Sequence, residues 1–590
     1  MTTQISKVKE ELRGTIKGSV LVSDDPGYNE ARQLWNAMID RRPAVIVQCA
    51  QADDVPPVVR FAQKNGLDLS IRGAGHNIAG NALCDNGVAI DFSRMKNVRV
   101  DAGKRRAYVE PGATLADLDK ATQAHGLAVP VGINSTTGIA GLTLGGGFGW
   151  LTRKYGMTID NLLSVDMITF EGKKLRASQS ENADLFWAIR GGGGNFGVVT
   201  QFEFQLFPVG PKIVAGLIVF PFSQAKQILT KYRQFANSAP EELNVWVVLR
   251  KAPPLPFLPE NVHGKEVVVL PIFYCGAAAE AEKLIAPLRA FGNAHGEHIG
   301  PQPYVQWQKA FDPLLTPGAR NYWKSHNFTE LADGALNPII EYAGKLPSPQ
   351  CEIFVGLIAG APNRIAPNAM AYGHRDAKFV LNVHGRWDEA KDDQTCIAWA
   401  REFFKASAPY ASAGAYVNFM TSEEGDRVAA AYGSNYERLV EIKKRYDPEN
   451  VFHLNLRPEY QKSSADFWAG VEFFRPAEFD SPDMPGSGEA FMDRRLIVAL
   501  DNLRKAVDAP LLVTSGYRSP GHNASLENSV EKSAHTLGLA ADLHCPTAHS
   551  RFQIIFHAIA LGFRRIGVGK NFVHLDIDES KPADVVWLYG

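Results

Sequence analysis

The sequence LSIRGAGHNIAG, residues 69–80, is the segment from which we interpret the first three-quarters of the 590-residue chain. A strand-like run ends at Arg72, and small residues and a single histidine, His76, follow it. Small residues let backbone N–H groups approach a ligand, and an arginine fork suits phosphate. The alternative is a glycine-rich turn with a surface histidine, because short glycine motifs are weak evidence. The candidate cofactor-binding residues here are Arg72, Gly73, Ala74, Gly75, His76, Asn77 and Gly80.

Two further glycine-rich segments favour a ligand over an ordinary turn. They read VPVGINSTTGIAGLTLGGGFGWLTRKYG at residues 129–156 and RGGGGNFGVV at residues 190–199. Such a density of glycine indicates backbone packed against a flat or charged ligand. The candidates in these segments are Gly132, Thr136, Thr137, Gly138, Gly141, Gly145, Gly146, Gly149 and Val198.

Composition places the chain among ordinary globular proteins, with 45% hydrophobic and 21% charged residues and a formal net charge of -1. The length predicts three or four domains or subdomains. The chain shows no basic field that would indicate nucleic acid or a membrane surface. The six cysteines form no CxxC pair, which predicts free thiols. Residues 1–14 lack an apolar core and no run is long enough to span a bilayer, so we expect a cytoplasmic protein.

Short strands alternating with helices predict an α+β fold with mixed sheets. Residue spacing predicts a helix around residues 34–39, a strand at 43–47 and a helix at 55–65. Thr114 is the predicted cap of another helix, because its hydroxyl can accept from the first turn.

The glycine-rich segments resemble the berberine-bridge-enzyme-like branch of the vanillyl-alcohol-oxidase, or PCMH-type, flavoproteins. The resemblance includes residues 187–200, WAIRGGGGNFGVVT, and extends to about residue 460. Residues 421–455, TSEEGDRVAAAYGSNYERLVEIKKRYDPENVFHLN, resemble the C-terminal segment of that branch.

The resemblance implies an FAD-binding domain at residues 1–209 and 416–461, interrupted by an antiparallel-sheet substrate domain at residues 210–415. It implies FAD bonded to His76, with a further contact from Asn455. Asn134 stands where some members have a cysteine tether, so a single covalent bond is expected.

The implied reaction is oxidation of an alcohol, sugar hydroxyl or amine carbon by hydride transfer, with O2 or another electron acceptor. Tyr416 resembles the position of the catalytic base in related oxidases, and the base needs a lowered pKa. The sequence also fits a half-buried strand tyrosine, with Asn418 on the same face. Weaker candidates for the catalytic role are His374, Arg375 and Asp376. Tyr322 and Trp323 either line the substrate pocket or fill a core.

The composition changes near residue 462, which predicts a linker at residues 462–475 and a small α+β domain at residues 476–590. His535 and Asp542 are seven residues apart, and His574 lies on an alternating strand with Asp576. Two histidines and one carboxylate leave a coordination position open for water, the pattern of a catalytic zinc site. The alternative is three unrelated polar residues.

Residues 472–590 resemble the M15 family of zinc peptidases, which act on peptidoglycan peptides. The resemblance implies zinc ligands His535, Asp542 and His574, and it implies Arg518 as the group that stabilises the oxyanion. Asn571 stands where several members have an acidic base, so Asp576 is the substitute candidate.

Other interpretations of the two regions remain open. The first region is an oxidase or a flavin-binding protein without turnover. The second is a peptidase or a non-catalytic cell-wall binding module, and the whole chain is a natural protein or an artificial fusion.

Overall fold

A computed structural model describes residues 12–412, 414–454, 468, 470–526, 533–578 and 581–589. The chain divides into two compact units, Met1–Tyr460 and Gln461–Gly590. Among the described helices, none combines the length and the apolar character needed to cross a bilayer.

The first sheet of the first unit has four strands, and the glycine-rich turn follows its strand Leu69–Arg72. Its strands, in spatial order, are Ser19–Leu21, Val45–Gln48, Val88–Asp91 and Leu69–Arg72. The last three are parallel, and Arg72 lies directly opposite Asp91. Helix Val55–Lys64 contributes buried apolar side chains to the core of this subdomain. The turn that begins at Gly73 therefore leaves the carboxyl edge of a parallel sheet, where open α/β sheets commonly bind ligands.

The second sheet carries the other glycine-rich segments at its connections. Its five antiparallel strands, in spatial order, are Val98–Asp101, Arg106–Val109, Val198–Gln205, Leu162–Ile168 and Lys174–Ser178. The helices of this subdomain are Leu115–Gln123, Ile139–Leu144, Thr152–Tyr155 and Ala183–Ile189. The short strands Leu127–Ala128 and Phe207–Pro208 pair with each other. The predicted cap is confirmed, because Thr114 Oγ1 accepts a hydrogen bond from the backbone N–H of Asp117.

A large antiparallel sheet forms the third part of the first unit. Its main strands, in spatial order, are Gly296–Pro303, Lys212–Pro221, Glu266–Tyr274, Val247–Lys251, Glu352–Leu357, Phe379–Trp387 and Arg320–Phe328, and Leu243–Val245 also pairs with Glu266–Tyr274. The longer helices of this part are Ala225–Ala236, Ala278–Arg289, Asp333–Ala343 and Asp393–Ser407. Their buried apolar side chains join those of the sheet in one core. The predicted antiparallel sheet covered by helices is confirmed.

The segment after the large sheet returns to the first two sheets. It contains helices Val428–Tyr432 and Tyr436–Tyr446. Lys443 Nζ is buried, pairs with the carboxylate of Asp447 and donates to the carbonyl oxygen of Asn195 at 2.6 Å. Tyr446 donates to the carboxylate of Asp184 at 2.8 Å. These contacts support the predicted return of residues 416–461 to the FAD-binding part.

The second unit is a five-stranded sheet with two main helices. Its strands, in spatial order, are Val513–Ser515, Ala540–His544, Phe572–Asp576, Arg565–Val568 and Val585–Leu588. Its helices are Ser487–Phe491, Arg494–Val507, Pro520–Ser525 and Ala548–Ala560. Leu496, Leu500 and Leu503 lie buried on one side of the second helix. The predicted small α+β domain is confirmed.

Two local predictions are wrong. Residues 34–39 form turns after the short helix Tyr28–Ala31, and the backbone N–H of Trp35 donates to Gly75 at 3.1 Å, outside any helical pattern. Tyr416 precedes the 3-10 turn Val417–Phe419 and does not lie on a strand. In both places tertiary contacts override a local periodicity that only a few residues supported.

Candidate functional site

The glycine-rich segments and the large sheet enclose a cavity of about 290 Å³ in the first unit. A second cavity of about 800 Å³ shares part of its wall, including Trp35 and residues 73, 74 and 76. The predicted cofactor residues that line the first cavity are Gly73, Ala74, Gly75, His76, Asn77, Gly132, Thr137, Gly138, Gly141 and Gly145. Arg72 and Thr136 line the second cavity. Gly193, Gly194 and Gly197 of the third segment also line the first cavity, so the structure brings all three glycine-rich segments together around one ligand-sized space.

Other predicted cofactor residues do not line either cavity. They are Gly80, Gly146, Gly149 and Val198. Val198 points into the core of the first subdomain, whereas its neighbour Val199 lines the cavity. Successive side chains of a strand point to opposite faces of the sheet, so the predicted residue Val198 faces away from the cavity and Val199 faces it. Asn455 lies outside the described residues.

Glycine is required at these positions for two different physical reasons. A Cβ atom on Gly145 would lie 2.1 Å from Asn418 Oδ1, and one on Gly147 would lie 2.2 Å from Thr158 Oγ1. Protein packing alone forbids a side chain at these two positions. A Cβ atom on Gly141 would meet nothing within 4 Å, although Gly141 lines the cavity. The open space beside the Gly141 backbone fits a flat ligand such as the flavin of FAD.

His76 is half-buried at the boundary of the two cavities. Its Nε2 lies 3.0 Å from Thr136 Oγ1, and its ring stacks on Trp35 with 5.2 Å between ring centroids. Burial lowers the pKa of His76 to about 4, and a hydrogen bond from the imidazole to the backbone of Thr136 opposes that shift. The imidazole is therefore neutral at pH 7, which is the nucleophilic form.

Arg72 holds the glycine-rich turn in place. Its guanidinium donates to the carbonyl oxygens of Ala31 at 2.8 Å and Gln33 at 3.1 Å, and it pairs with Asp91 at 3.3 Å. These contacts tie the turn to the sheet. Phosphate binding by Arg72 stays a prediction.

Tyr416 is buried beside the three consecutive glycines at residues 145–147. Its phenol oxygen accepts hydrogen bonds from the backbone N–H of Gly147 at 2.9 Å and from Asn418 Nδ2 at 3.1 Å. Burial raises the pKa of Tyr416 to about 12, while the two hydrogen bonds oppose the rise. The contact with Asn418 is present although the predicted strand is absent. The pKa shift is opposite in direction to the one that a base needs, and the role of Tyr416 as base stays a prediction.

Of the weaker candidate residues, one lines the cavity, and most of the others bond to groups elsewhere in the protein. Trp323 lines the cavity, whereas the hydroxyl of Tyr322 donates to Glu423. Arg375 is buried and pairs with Asp160 at 2.7 Å. His374 Nε2 lies 2.7 Å from the carbonyl oxygen of Ala431, and Asp376 is exposed.

Sequence reasoning missed a charged row on the large sheet. Glu352 and His384 face each other across neighbouring strands, and both line the cavity. Glu352 Oε1 lies 3.1 Å from His384 Nδ1, and Arg250 donates to Glu352 Oε2 at 2.7 Å. Glu352 and His384 are 32 positions apart in the sequence, which gives no local signal, and only strand register brings the two together.

The predicted zinc ligands converge in the second unit. The three ligand atoms, His535 Nε2, Asp542 Oδ1 and His574 Nδ1, all lie within 4.8 Å of one another. Asp542 and His574 are directly opposite each other on antiparallel strands, and His535 lies on the turn Ala534–Leu537. Among the described residues, this is the cluster of histidine, cysteine and acidic side chains that fits a metal ion. The donor set suits zinc.

The opposite side of each ligand is held by the protein. His535 Nδ1 lies 2.7 Å from the carbonyl oxygen of Gly516, and His574 Nε2 lies 3.2 Å from Asp576 Oδ2. Arg518 donates to Asp542 Oδ2 at 2.8 Å. Such partners orient metal ligands and fix histidine tautomers. Arg565 also donates to Asp576 at 2.6 Å, so both carboxylate oxygens of Asp576 have partners in the chain.

Burial and hydrogen bonding act in opposite directions on the pKa values of this cluster. Burial raises the pKa of Asp542, but hydrogen bonds from His535 and His574 outweigh it and hold the pKa well below its usual range. Ser533 caps the turn that carries His535 by accepting from the N–H of His535. The carboxylate is therefore in the ionised form that a metal needs.

Comparison with known proteins gives three matches to family models. Residues 43–178 match an FAD-binding domain, residues 415–456 match "Berberine and berberine like", and residues 477–576 match peptidase M15. The two-part architecture predicted from the sequence is confirmed.

Full-length relatives match the first unit. The FAD-linked oxidoreductase YgaK of Bacillus subtilis is 31% identical, over 74% of this chain and 96% of its own length. The (R)-6-hydroxynicotine oxidase of Paenarthrobacter nicotinovorans is also 31% identical, over 75% and 98%. The solved structure of 6-hydroxy-D-nicotine oxidase from Arthrobacter nicotinovorans aligns with a TM-score of 0.68 at 29% identity, over 75% of this chain and 98% of that one.

Proposed function

Because the chain belongs to the berberine-bridge-enzyme-like family of FAD-linked oxidoreductases, we propose that its first unit binds one FAD through a covalent bond to His76. The observation that carries this proposal is the half-buried, neutral imidazole on the wall of the cavity that the open backbone of Gly141 also lines. Thr136 Oγ1 lies against Nε2, which leaves Nδ1 for the flavin. The bound flavin supplies the acceptor for a hydride.

The substrate of this unit is an alcohol, a sugar hydroxyl or an amine, and O2 or another acceptor takes the electrons. The ionised form of Tyr416, a phenolate stabilised by the N–H of Gly147 and the amide of Asn418, accepts the substrate proton and becomes the neutral phenol. The rival is a flavin-binding protein without turnover. Anaerobic loss of the yellow absorbance on adding substrate separates an enzyme from that rival.

The His76→Ala variant tests the tether. We expect acid-precipitated wild-type protein to remain yellow and the variant to release its flavin into the supernatant, because only a covalent bond survives unfolding. The measurement is the visible absorbance of pellet and supernatant. His125→Ala, which removes an exposed histidine from the same unit, is the control and should stay yellow. Flavin released from wild-type protein would contradict the tether and leave FAD binding intact.

The second unit is the M15 peptidase-like part, and its candidate function is zinc-dependent cleavage of peptidoglycan peptides. The convergence of His535, Asp542 and His574 carries this proposal. A zinc ion held there would acidify a bound water and polarise a peptide carbonyl. Arg518 borders the cluster through Asp542 and would face the developing oxyanion. A cytoplasmic location and the domain limits 1–209, 210–415, 416–461 and 476–590 stay predictions.

The position of Asp576 gives a specific expectation for zinc affinity. Asp576 orients His574, and such outer partners typically contribute roughly 10- to 100-fold to metal affinity. Asp576→Asn in the full chain should therefore weaken zinc binding by that order in a competition titration with a chelating dye. Asp508→Asn, an acidic position at the end of helix Arg494–Val507, is the control. Unchanged affinity in Asp576→Asn would remove Asp576 from the support of the site.

A further inference from the structure

A row of four side chains crosses four neighbouring strands of the large sheet beside the first cavity. The strand register places Arg250 opposite Glu352, Glu352 opposite His384, and His384 opposite Trp323. Directly opposite residues share one face of a sheet. Glu352, His384 and Trp323 all line the cavity. The row therefore presents polar groups to whatever occupies the cavity.

The hydrogen bonds of the row fix the tautomer of His384. Glu352 is a carboxylate, because Arg250 and His384 outweigh the effect of burial and lower its pKa to about 2. A carboxylate only accepts hydrogen bonds, so the hydrogen of His384 lies on Nδ1, which is 3.1 Å from Glu352 Oε1. His384 Nε2 is then a bare acceptor.

His384 is neutral at pH 7. Burial lowers the pKa of His384, the hydrogen bond and charge of Glu352 oppose that shift, and the positive charges of Arg386 and Arg250 add to it. Within the described part of the chain, His384 Nε2 has no hydrogen-bond partner. Buried polar groups are normally satisfied, so an unsatisfied one beside a cavity indicates a ligand that donates to it.

The side chains around His384 indicate the shape and the polarity of the ligand that donates to it. Its ring packs edge-on against Trp323, with 5.0 Å between ring centroids. The cavity wall is further lined by the aromatic residues Trp35, Phe148, Trp246, Phe354 and Phe419. Asn382 Oδ1 is a second buried acceptor at the wall, also without a partner among the described residues. The aromatic faces suit a flat molecule, and the unpartnered acceptors His384 Nε2 and Asn382 Oδ1 suit O–H or N–H groups carried on it.

We propose that His384 is the substrate-binding acceptor of this cavity, held in place by Glu352 and Arg250, and that the cavity takes flat aromatic molecules carrying an O–H or N–H group. The inference rests on the proposed function, in which FAD takes the glycine-rich side of this cavity and the substrate takes the side formed by the large sheet. Glu352 and Arg250 act through His384 and are positioning residues.

The test compares two probes of nearly equal shape by calorimetry on the full-length protein as purified. Phenol offers an O–H donor, and anisole does not. One neutral hydrogen bond predicts that phenol binds about three- to tenfold more tightly than anisole. The His384→Leu variant should bind both probes about equally. The His384→Gln variant keeps an acceptor oxygen and should retain a preference for phenol.

A matched control uses a second buried histidine of the same sheet. His326 Nε2 already has a partner, the carbonyl oxygen of Phe404 at 2.9 Å, and His326 does not line the cavity. His326→Leu should therefore keep the preference for phenol. Equal binding of the two probes to wild-type protein, or an unchanged preference in His384→Leu, would overturn the inference. Cellobiose binding more tightly than phenol would overturn the substrate class.

Failure of the inference about His384 can be distinguished from failure of the proposed oxidase function. Calorimetry of phenol and anisole needs no turnover, and flavin content is read independently from visible absorbance. A yellow protein without the preference would retain the oxidase proposal and reject the role of His384. A colourless protein with the preference would do the reverse.

Discussion

Tyr416→Phe is expected to slow anaerobic reduction of the flavin by roughly 100- to 10,000-fold, the usual contribution of a positioned base. The phenol oxygen lies between two donors, Gly147 N and Asn418 Nδ2, and both stabilise its ionised form. Phenylalanine keeps the ring and its packing on Phe148, so only the hydroxyl is lost. The measurement is stopped-flow absorbance with an alcohol or amine that reduces the wild-type protein.

The pH dependence of the same step has a defined sign. Burial raises the pKa of Tyr416 to about 12, so the phenol is protonated at neutral pH. If ionisation of Tyr416 limits the step, the rate of reduction rises with pH up to that value. Tyr416→Phe should remove this dependence along with most of the rate.

Tyr372→Phe provides the matched control for the tyrosine variant. Tyr372 is also buried, its ring centroid is 6.4 Å from that of Tyr416, and its hydroxyl has no hydrogen-bond partner among the described residues. Removing that hydroxyl should leave the rate within about threefold, since no positioned proton acceptor is lost. A change of under about threefold in Tyr416→Phe itself would exclude Tyr416 as the base.

The second large effect is on metal content. We expect about one zinc per full-length chain, falling to less than about a tenth in His535→Ala and in His574→Ala, because a three-ligand site loses a third of its donors. In His574→Ala the site also loses the donor that the strand register places directly opposite Asp542. The measurement is elemental analysis after dialysis against metal-free buffer.

His557→Ala controls for the loss of a histidine from the second unit. His557 lies on helix Ala548–Ala560 and is not part of the metal cluster. The zinc content of the His557→Ala variant should equal that of the wild-type protein. Full zinc in both ligand variants would refute the site, and circular dichroism of each variant shows whether the fold survives.

The pH at which zinc is released should follow from the ligands. The pKa of Asp542 is held well below its usual range, and the pKa of His574 is raised because hydrogen bonds to Asp542 and Asp576 outweigh burial. Protonation of His574 therefore competes with the metal first as the pH falls. Zinc loss on acidification should track histidine rather than aspartate.

The sequence by itself determined the features that depend on local composition and spacing. The glycine-rich segments and the cap at Thr114 were predicted because each depends on a short motif with a fixed backbone requirement. The zinc triad was predicted from the spacing of its residues together with the M15 resemblance. The antiparallel strand at Phe572–Asp576 was predicted from alternation alone. These motifs also carried the family resemblance that the comparisons confirm.

Only the tertiary structure decided which side chains reach the sites. Strand register over tens of residues placed Glu352 against His384, and a 3-10 turn rather than a strand placed Tyr416 against Gly147. The face of a strand residue changes with each step, so Val199 and not Val198 lines the cavity. Pairing between distant strands depends on the packing of the whole sheet, and no short stretch of sequence contains that information.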